Sequence, residues 1–198
     1  MSVAGLILAA GRGMRFGEAP KLLADFRGKP LVRHVAEAAL ASQARPVTVV
    51  TGHRAPEVEA ALAGLPLGFA HNPDFAEGLS TSLKRGFAVL PAEAEAAIVL
   101  LGDMPLVDAA LIDRLIRRWS EARPAAVVPV NGGRRGNPVV LSAGLAPEIA
   151  RLTGDAGAGP LLRGRDDVTE EPVEAMGVLH DVDTPDALAL LRNETSAP

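Results

Sequence analysis

Val3-Ala4-Gly5-Leu6-Ile7-Leu8-Ala9-Ala10 runs straight into Gly11-Arg12-Gly13-Met14-Arg15-Phe16-Gly17. The first eight residues are apolar without polar alternation, the pattern of a strand covered on both faces. Similar runs recur at 46–51, 67–70, 96–101 and 125–130, and helical spacing fills the intervals at 31–40, 56–62, 79–90 and 109–119. Alternating buried strands and helices predict an α/β fold with three α/β/α layers, Rossmann-like, around a mostly parallel sheet. Asn131-Gly132-Gly133 and Gly136-Asn137-Pro138, lying between apolar runs, predict a return as an antiparallel strand, so the sheet is expected to be mixed. A short amphipathic helix is expected over 186–192.

The 198 residues suffice for one domain, expected over 1–193 with a frayed tail at 194–198. Hydrophobic residues make up 48% and charged residues 22%, which excludes a disordered or fibrous chain. The net charge of −4 provides no general basic field, so nucleic acid is not an expected partner. No apolar stretch approaches the roughly 20 residues of a membrane span, and no basic residues precede the first apolar run as in a secretory signal. The absence of cysteine rules out disulfides and thiolate chemistry. A cytoplasmic protein is expected.

Ligands of open α/β sheets bind beyond the carboxyl ends of the strands, so the loops there carry the chemistry. In the first loop, Gly11, Gly13 and Gly17 open the backbone while Arg12, Arg15 and Lys21 supply three cations. Glycines let successive N–H groups converge on an anion, and the cations match phosphate. A plain glycine turn with solvated cations is the competing reading, which the position after a buried strand disfavours. A dinucleotide fingerprint requires Gly-x-Gly-x-x-Gly opening a helix, and a P-loop requires Gly-Lys-Ser or Gly-Lys-Thr. Neither spacing is present.

Leu8 through Gly17, with Pro20-Lys21-Leu22-Leu23 and Gly28-Lys29-Pro30-Leu31, resembles the signature of the MobA-like nucleotidyltransferases, and within them the MocA-type molybdenum cofactor cytidylyltransferases. The stretch from Asn72 to Ser82, then Leu101-Gly102-Asp103-Met104-Pro105, Gly136-Asn137-Pro138 and Asp181-Val182-Asp183-Thr184-Pro185, follow in the family's order. The resemblance implies transfer of a nucleoside monophosphate from a triphosphate to a phosphorylated small molecule with release of pyrophosphate. The implied acceptor is molybdopterin, and the implied protein partner a molybdoenzyme or its chaperone.

Under that reading Ala9, Ala10, Gly11, Arg12, Gly13 and Lys21 hold the nucleotide, with Asn72, Gly78, Ser80 and Ser82 near its base and ribose. Arg15, Lys21 and Asp103 are the catalytic candidates. An acceptor phosphate is already ionised near neutral pH, so positioning and charge neutralisation suffice without a nucleophile apparatus. Asp103, at the end of a buried strand, is a hard oxygen ligand suited to Mg2+, or else a turn cap. Asp183 resembles the family's late metal carboxylate; Asp181 is its neighbour, and Thr184-Pro185 reads as a helix start. Ser80 is also a candidate helix N-cap and Asn72 a turn former. Gly136, Asn137 and Pro138 are expected on the acceptor side, with Arg134 and Arg135 either binding its phosphate or solvated. His53, lacking a second histidine at ligand spacing, is expected near the site but outside the chemistry.

Ala10, in an Ala-Ala-Gly rather than Ala-Gly-Gly setting, tilts the expected triphosphate toward CTP over GTP. Gly13 stands where the family often has Ser, Phe16 where it has Met, and Gly159 where it has Arg. The alternatives are a guanylyl- or sugar-phosphate nucleotidyltransferase of the same fold, a non-catalytic nucleotide-binding domain, and an NAD(P)-dependent oxidoreductase.

Overall fold

In the computed structural model, residues 2–17 and 19–194 are described. The first apolar run is strand β1 (Val3–Ala9), buried at every position. A two-residue ribbon, β2 (Asp25–Phe26) with β3 (Lys29–Pro30), precedes helix α1 (Leu31–Ala41). Then come β4 (Val47–Thr51), α2 (Ala55–Ala61), β5 (Gly68–His71), α3 (Leu79–Ala88), β6 (Ala96–Leu101) and α4 (Ala109–Ala122). The second half contributes β7 (Ala126–Asn131), β8 (Arg134–Arg135), β9 (Val139–Ser142), α5 (Ala146–Ile149), α6 (Gly159–Leu162), β10 (Val168–Pro172) and α7 (Pro185–Glu194).

The strands lie in the order β10-β7-β9-β6-β1-β4-β5, with β8 paired to β7. β1 pairs in parallel with both β4 and β6, whereas β9 is antiparallel to β6 and β7, so the sheet is mostly parallel and mixed as expected. The chain runs outward from β1 through β4 and β5, then crosses back to place β6 on the other side of β1. The order therefore reverses between β1 and β6, and their carboxyl ends open a crevice there.

Helix positions follow from their apolar spacing. α4 buries Leu111, Ile112, Leu115, Ile116 and Trp119, one stripe of an amphipathic helix, and Asp108 caps its start by accepting from Leu111 N–H at 2.8 Å. One core cluster joins α1, α2 and α4 to one sheet face; a second joins α3, Leu145, Ile149 and Leu162 to the other. A third gathers Phe16, Phe26, Leu31, Val182, Leu188 and Leu191, tying the glycine loop to the chain's late segment.

The structure departs from the sequence expectations in several places. The third apolar run pairs over Gly68–His71, one residue later than expected. β10, reading Val-Thr-Glu-Glu-Pro, was not expected, because a charged edge strand carries no apolar run. The β2–β3 ribbon is too short to have a period. Ser80 is not an N-cap: α3 starts a residue earlier, Gly78 occupies the cap position, and no side chain caps it. The tail expected at 194–198 lies, from 195 onward, outside the described residues. Among the described residues no helix is long and apolar enough to cross a membrane.

Candidate active site

The crevice at the carboxyl ends of β1 and β6 has a volume of about 730 Å³. Its walls include Ala10, Gly11, Arg12, Gly13, Arg15 and Lys21 from the first loop, Gly78 and Ser82 from the start of α3, and Asp103, Asp181 and Asp183. Gly13 is left-handed (φ 60°), and a Cβ there would stand 3.0 Å from Lys21 Cβ. Glycine at this position therefore lets the loop pass close beside the lysine. Phe16, also outside the family pattern, is buried in the third cluster against Val182 and anchors the loop by packing.

Lys21 is the centre of the charge arrangement. Its Nζ donates to Asp103 Oδ2 at 2.5 Å and to Asp183 Oδ1 at 3.1 Å, while Arg15 reaches Asp183 Oδ2 at 2.7 Å. Burial disfavours the Lys21 ammonium, but Asp103 and Asp183 outweigh it and raise its pKa. For Asp183, burial is overcome by the hydrogen bond and charge of Lys21, by Asp181 and by Arg15, and its pKa is lowered. Asp181 is raised, first by burial and then by the charges of Asp183 and Asp103. The carboxylates are held in register by backbone: Val182 N–H donates to Asp103 O at 3.0 Å, and Asn137 N–H to Val178 O at 2.9 Å.

Asp103 Oδ1 is buried and has no hydrogen-bond partner among the described residues. A buried carboxylate oxygen left unmatched is costly unless a cation reaches it. Among the described residues no cluster of three or more His, Cys, Asp or Glu forms a ready metal cage. That donor set suits Mg2+, which takes one or two carboxylates and completes its shell with water and substrate phosphates.

The remaining candidates divide by location. Ala9, Asn72 and Ser80 are buried and are not among the residues that line the crevice. The Asn72 amide donates to Thr81 Oγ1 at 2.9 Å and Ser82 Oγ at 3.1 Å, while its oxygen accepts from Asp74 N–H at 3.1 Å, so Asn72 pins the turn to α3. Ser80 is fully buried, and its N–H donates to Gly154 O at 3.1 Å. Gly136 and Asn137 line a separate pocket beside the crevice, and cis-Pro138 follows them. Arg135 pairs with Glu170 at 2.8 Å. Thr184 Oγ1 caps α7 by accepting from Ala187 N–H at 3.1 Å.

Phe75, within the stretch from Asn72 to Ser82, and Asp155 also line the crevice wall, and the sequence assigned neither a role of its own. Arg12 lies 5.6 Å over the Phe75 ring, and His53 meets the same ring at 5.8 Å. Asp155 reaches the wall because Gly78 and Gly154 meet backbone to backbone, a contact between distant segments.

Residues 5–170 match the family described as the MobA-like NTP transferase domain. Nicotine blue oxidoreductase of Paenarthrobacter nicotinovorans is 34% identical over 191 residues, covering 92% of each chain. The bifunctional protein GlmU of Acidovorax ebreus (strain TPSY) is 36% identical over 85% of this chain, which spans only 32% of that longer protein. Among solved structures, Rv0371c of Mycobacterium tuberculosis H37Rv superposes with a TM-score of 0.83 at 28% identity, covering 98% of this chain and 99% of that one. The same protein is also solved in complex with manganese, at a TM-score of 0.81.

Proposed function

Because the chain belongs to the MobA-like NTP transferase family, we propose that it transfers a nucleoside monophosphate, with CTP preferred, to a phosphorylated acceptor of the molybdopterin type. The observation that carries this reading is the Lys21 ammonium held between Asp103 and Asp183 at the mouth of a glycine-lined crevice. An acceptor phosphate oxygen attacks the α-phosphorus, the bond from that phosphorus to the bridging oxygen breaks, and pyrophosphate leaves with the electron pair. Arg12, Gly11 and Gly13 receive the triphosphate, while Lys21 and Arg15 turn from their carboxylates toward the charge that develops on the leaving group. Asp103 and Asp183 would hold Mg2+, which neutralises phosphate charge and orients the phosphates. The orphaned Asp103 oxygen and the manganese complex of the related structure support a divalent ion here.

Preference for CTP rests on Ala10 at the crevice wall, whose methyl lies against Gly52 and would leave a purine less room than glycine would. With molybdopterin as acceptor, a molybdoenzyme or its chaperone would collect the product in the cytoplasm. Exchange of radiolabelled pyrophosphate into each of the four triphosphates in the presence of molybdopterin, with and without Mg2+, tests the reading. CTP is expected to exchange fastest and only with metal. Absence of exchange for every triphosphate, with molybdopterin also supplied, would sink it.

A second reading has one finding in its favour, the oxidoreductase name of the relative from Paenarthrobacter nicotinovorans. In it the crevice binds a nicotinamide cofactor. Oxidation of NADH or NADPH by dye acceptors, with no pyrophosphate exchange, would select it.

A further inference from the structure

Arg12 differs from the two other cations of the glycine loop. Lys21 and Arg15 face carboxylates, whereas among the described residues Arg12 makes no ion pair and no side-chain hydrogen bond. Its guanidinium lies instead over the Phe75 ring, 5.6 Å from the centroid, and both residues line the crevice. The ring is fixed where three strand ends meet. Phe75 opens the short turn Phe75–Glu77 after β5, in which the Asn72 side-chain oxygen accepts from Asp74 N–H at 3.1 Å and Glu77 N–H donates to Asp74 O at 2.9 Å. After β4, a Cβ on Gly52 would stand 2.7 Å from Phe75 Cβ and 2.8 Å from Ala10 Cβ, so glycine there lets the turn settle against the end of β1. His53, the next residue, donates its N–H to Ala10 O at 3.0 Å and meets the Phe75 ring at 5.8 Å, and Phe75 also packs against the core cluster of the α3 face.

We propose that Phe75 is a positioning residue for Arg12: its ring holds the guanidinium at the crevice wall, ready for the polyphosphate of the nucleotide; the inference rests on the nucleotidyl-transfer reading of the crevice. An exposed arginine gives up rotamer freedom when an anion fixes it, and that loss weakens binding. Stacking on an aromatic face imposes the order beforehand. The ring takes the flat face of the guanidinium and leaves its edge N–H groups to donate to phosphate oxygens. A carboxylate would order Arg12 as well, but phosphate would then have to displace it, as it must at Lys21 and Arg15. The neutral ring holds without competing.

The test is calorimetric binding, in buffer containing Mg2+, of inorganic tripolyphosphate, which has neither base nor ribose, and of CTP. The proteins are the full chain, Phe75→Leu, Phe75→Tyr, Arg12→Gln and the Phe75→Leu/Arg12→Gln double variant. Phe75→Leu is expected to weaken both ligands about fivefold, the scale of an exposed cation–π contact, while Phe75→Tyr, which keeps the ring face, binds as the parent does. In the Arg12→Gln background Phe75→Leu is expected to have no further effect, whereas a loosened loop would weaken binding in both backgrounds. Should Phe75→Leu melt below the assay temperature, Phe75→Met takes its place in the cycle. A loss for CTP but not for tripolyphosphate would assign the ring to the base, and equal losses with and without Arg12 would assign it to packing alone. Either result overturns the proposal, as does no loss at all or no binding of tripolyphosphate to the parent. If the coupling is found while no triphosphate exchanges pyrophosphate, the transferase reading falls and the Arg12–Phe75 pair stands; exchange without the coupling keeps the transferase and removes this role of Phe75.

Discussion

The carbonyl oxygen of Val178 lies 2.2 Å from the point where a Cβ on Gly136 would stand. Only a residue without a side chain lets the 131–138 loop approach the segment that carries Asp181 and Asp183 this closely. The neighbouring Asn137 N–H then donates to the same oxygen at 2.9 Å. Gly136 thus joins the 131–138 loop to the segment of the late carboxylates. The Gly136→Ala protein is expected to lose about 1–3 kcal/mol of stability, the usual cost of overpacking. Urea denaturation checks the stability, and a parallel loss of pyrophosphate exchange is expected because Asp183 shifts with Val178. Unchanged stability would mean that the two segments part freely.

Phe16 anchors the opposite wall. It is buried with Val182 and Leu188, so the loop bearing Arg15 and the segment bearing Asp183 share one small apolar cluster. Phe16→Ala is expected to cost about 3 kcal/mol, the lower end for a buried aromatic, since this cluster is small. Its larger signature is functional: the KM for the triphosphate should rise more than the turnover number falls, because the loop loses its fixed position. Steady-state kinetics with CTP distinguishes this from a uniform loss of folded protein.

The parts of this molecule with strong local signals were legible in its sequence. β1 and β6 are uninterrupted apolar runs, and α4 has a clean stripe from Leu111 to Trp119, so their faces and ends follow from periodicity. The loop after β1 and Asp103 after β6 could be placed at one sheet edge on topology alone. What the sequence hid depends on distant backbone contacts. Ser82 faces the crevice whereas Ser80, two residues away, packs inward against Gly154, and only the start of the helix at Leu79 decides which hydroxyl is presented. Asn72 reads equally as base contact or turn former until Thr81 and Ser82 are seen to take both its amide protons. The charged strand β10 is specified by its pairing with β7.

Asp181 makes the site's charge arrangement testable by pH. Its pKa is raised in the folded protein, so ionising it costs stability that is absent below the ordinary aspartate pKa and complete above the raised folded value. Asp181→Asn keeps the shape and removes that cost. The variant is expected to melt about 2 °C higher at neutral pH, a modest gain for a partly solvated group, with the difference vanishing as pH falls through the aspartate range. Asp183 has the opposite sign: its pKa is lowered, so its contribution is present above the ordinary aspartate pKa and lost as pH falls through the folded value. Asp183→Asn should therefore lower the melting temperature at neutral pH and converge with the parent in acid. Thermal melts of both variants across the acid range check the two signs together; parallel shifts in the same direction would show that Lys21 does not discriminate between the two carboxylates.

Asp103 is the residue at which a structural and a chemical role separate most cleanly. Its Oδ2 is matched by Lys21 at 2.5 Å, but its buried Oδ1 has no partner among the described residues. As a turn former Asp103 would need neither oxygen charged, since its backbone carbonyl already accepts from Val182 N–H. Asp103→Asn preserves size and that backbone contact while removing the charge. Lys21 keeps Asp183 as a partner, so only a small change in melting temperature is expected. Exchange activity, by contrast, is expected to fall by about 100-fold or more, as when one preorganised charge-stabilising group is lost. The concentration of divalent ion giving half-maximal activity should rise as well. A variant that melts lower yet exchanges at the parental rate, with unchanged metal dependence, would return Asp103 to the turn and leave Asp183 as the remaining carboxylate for the ion.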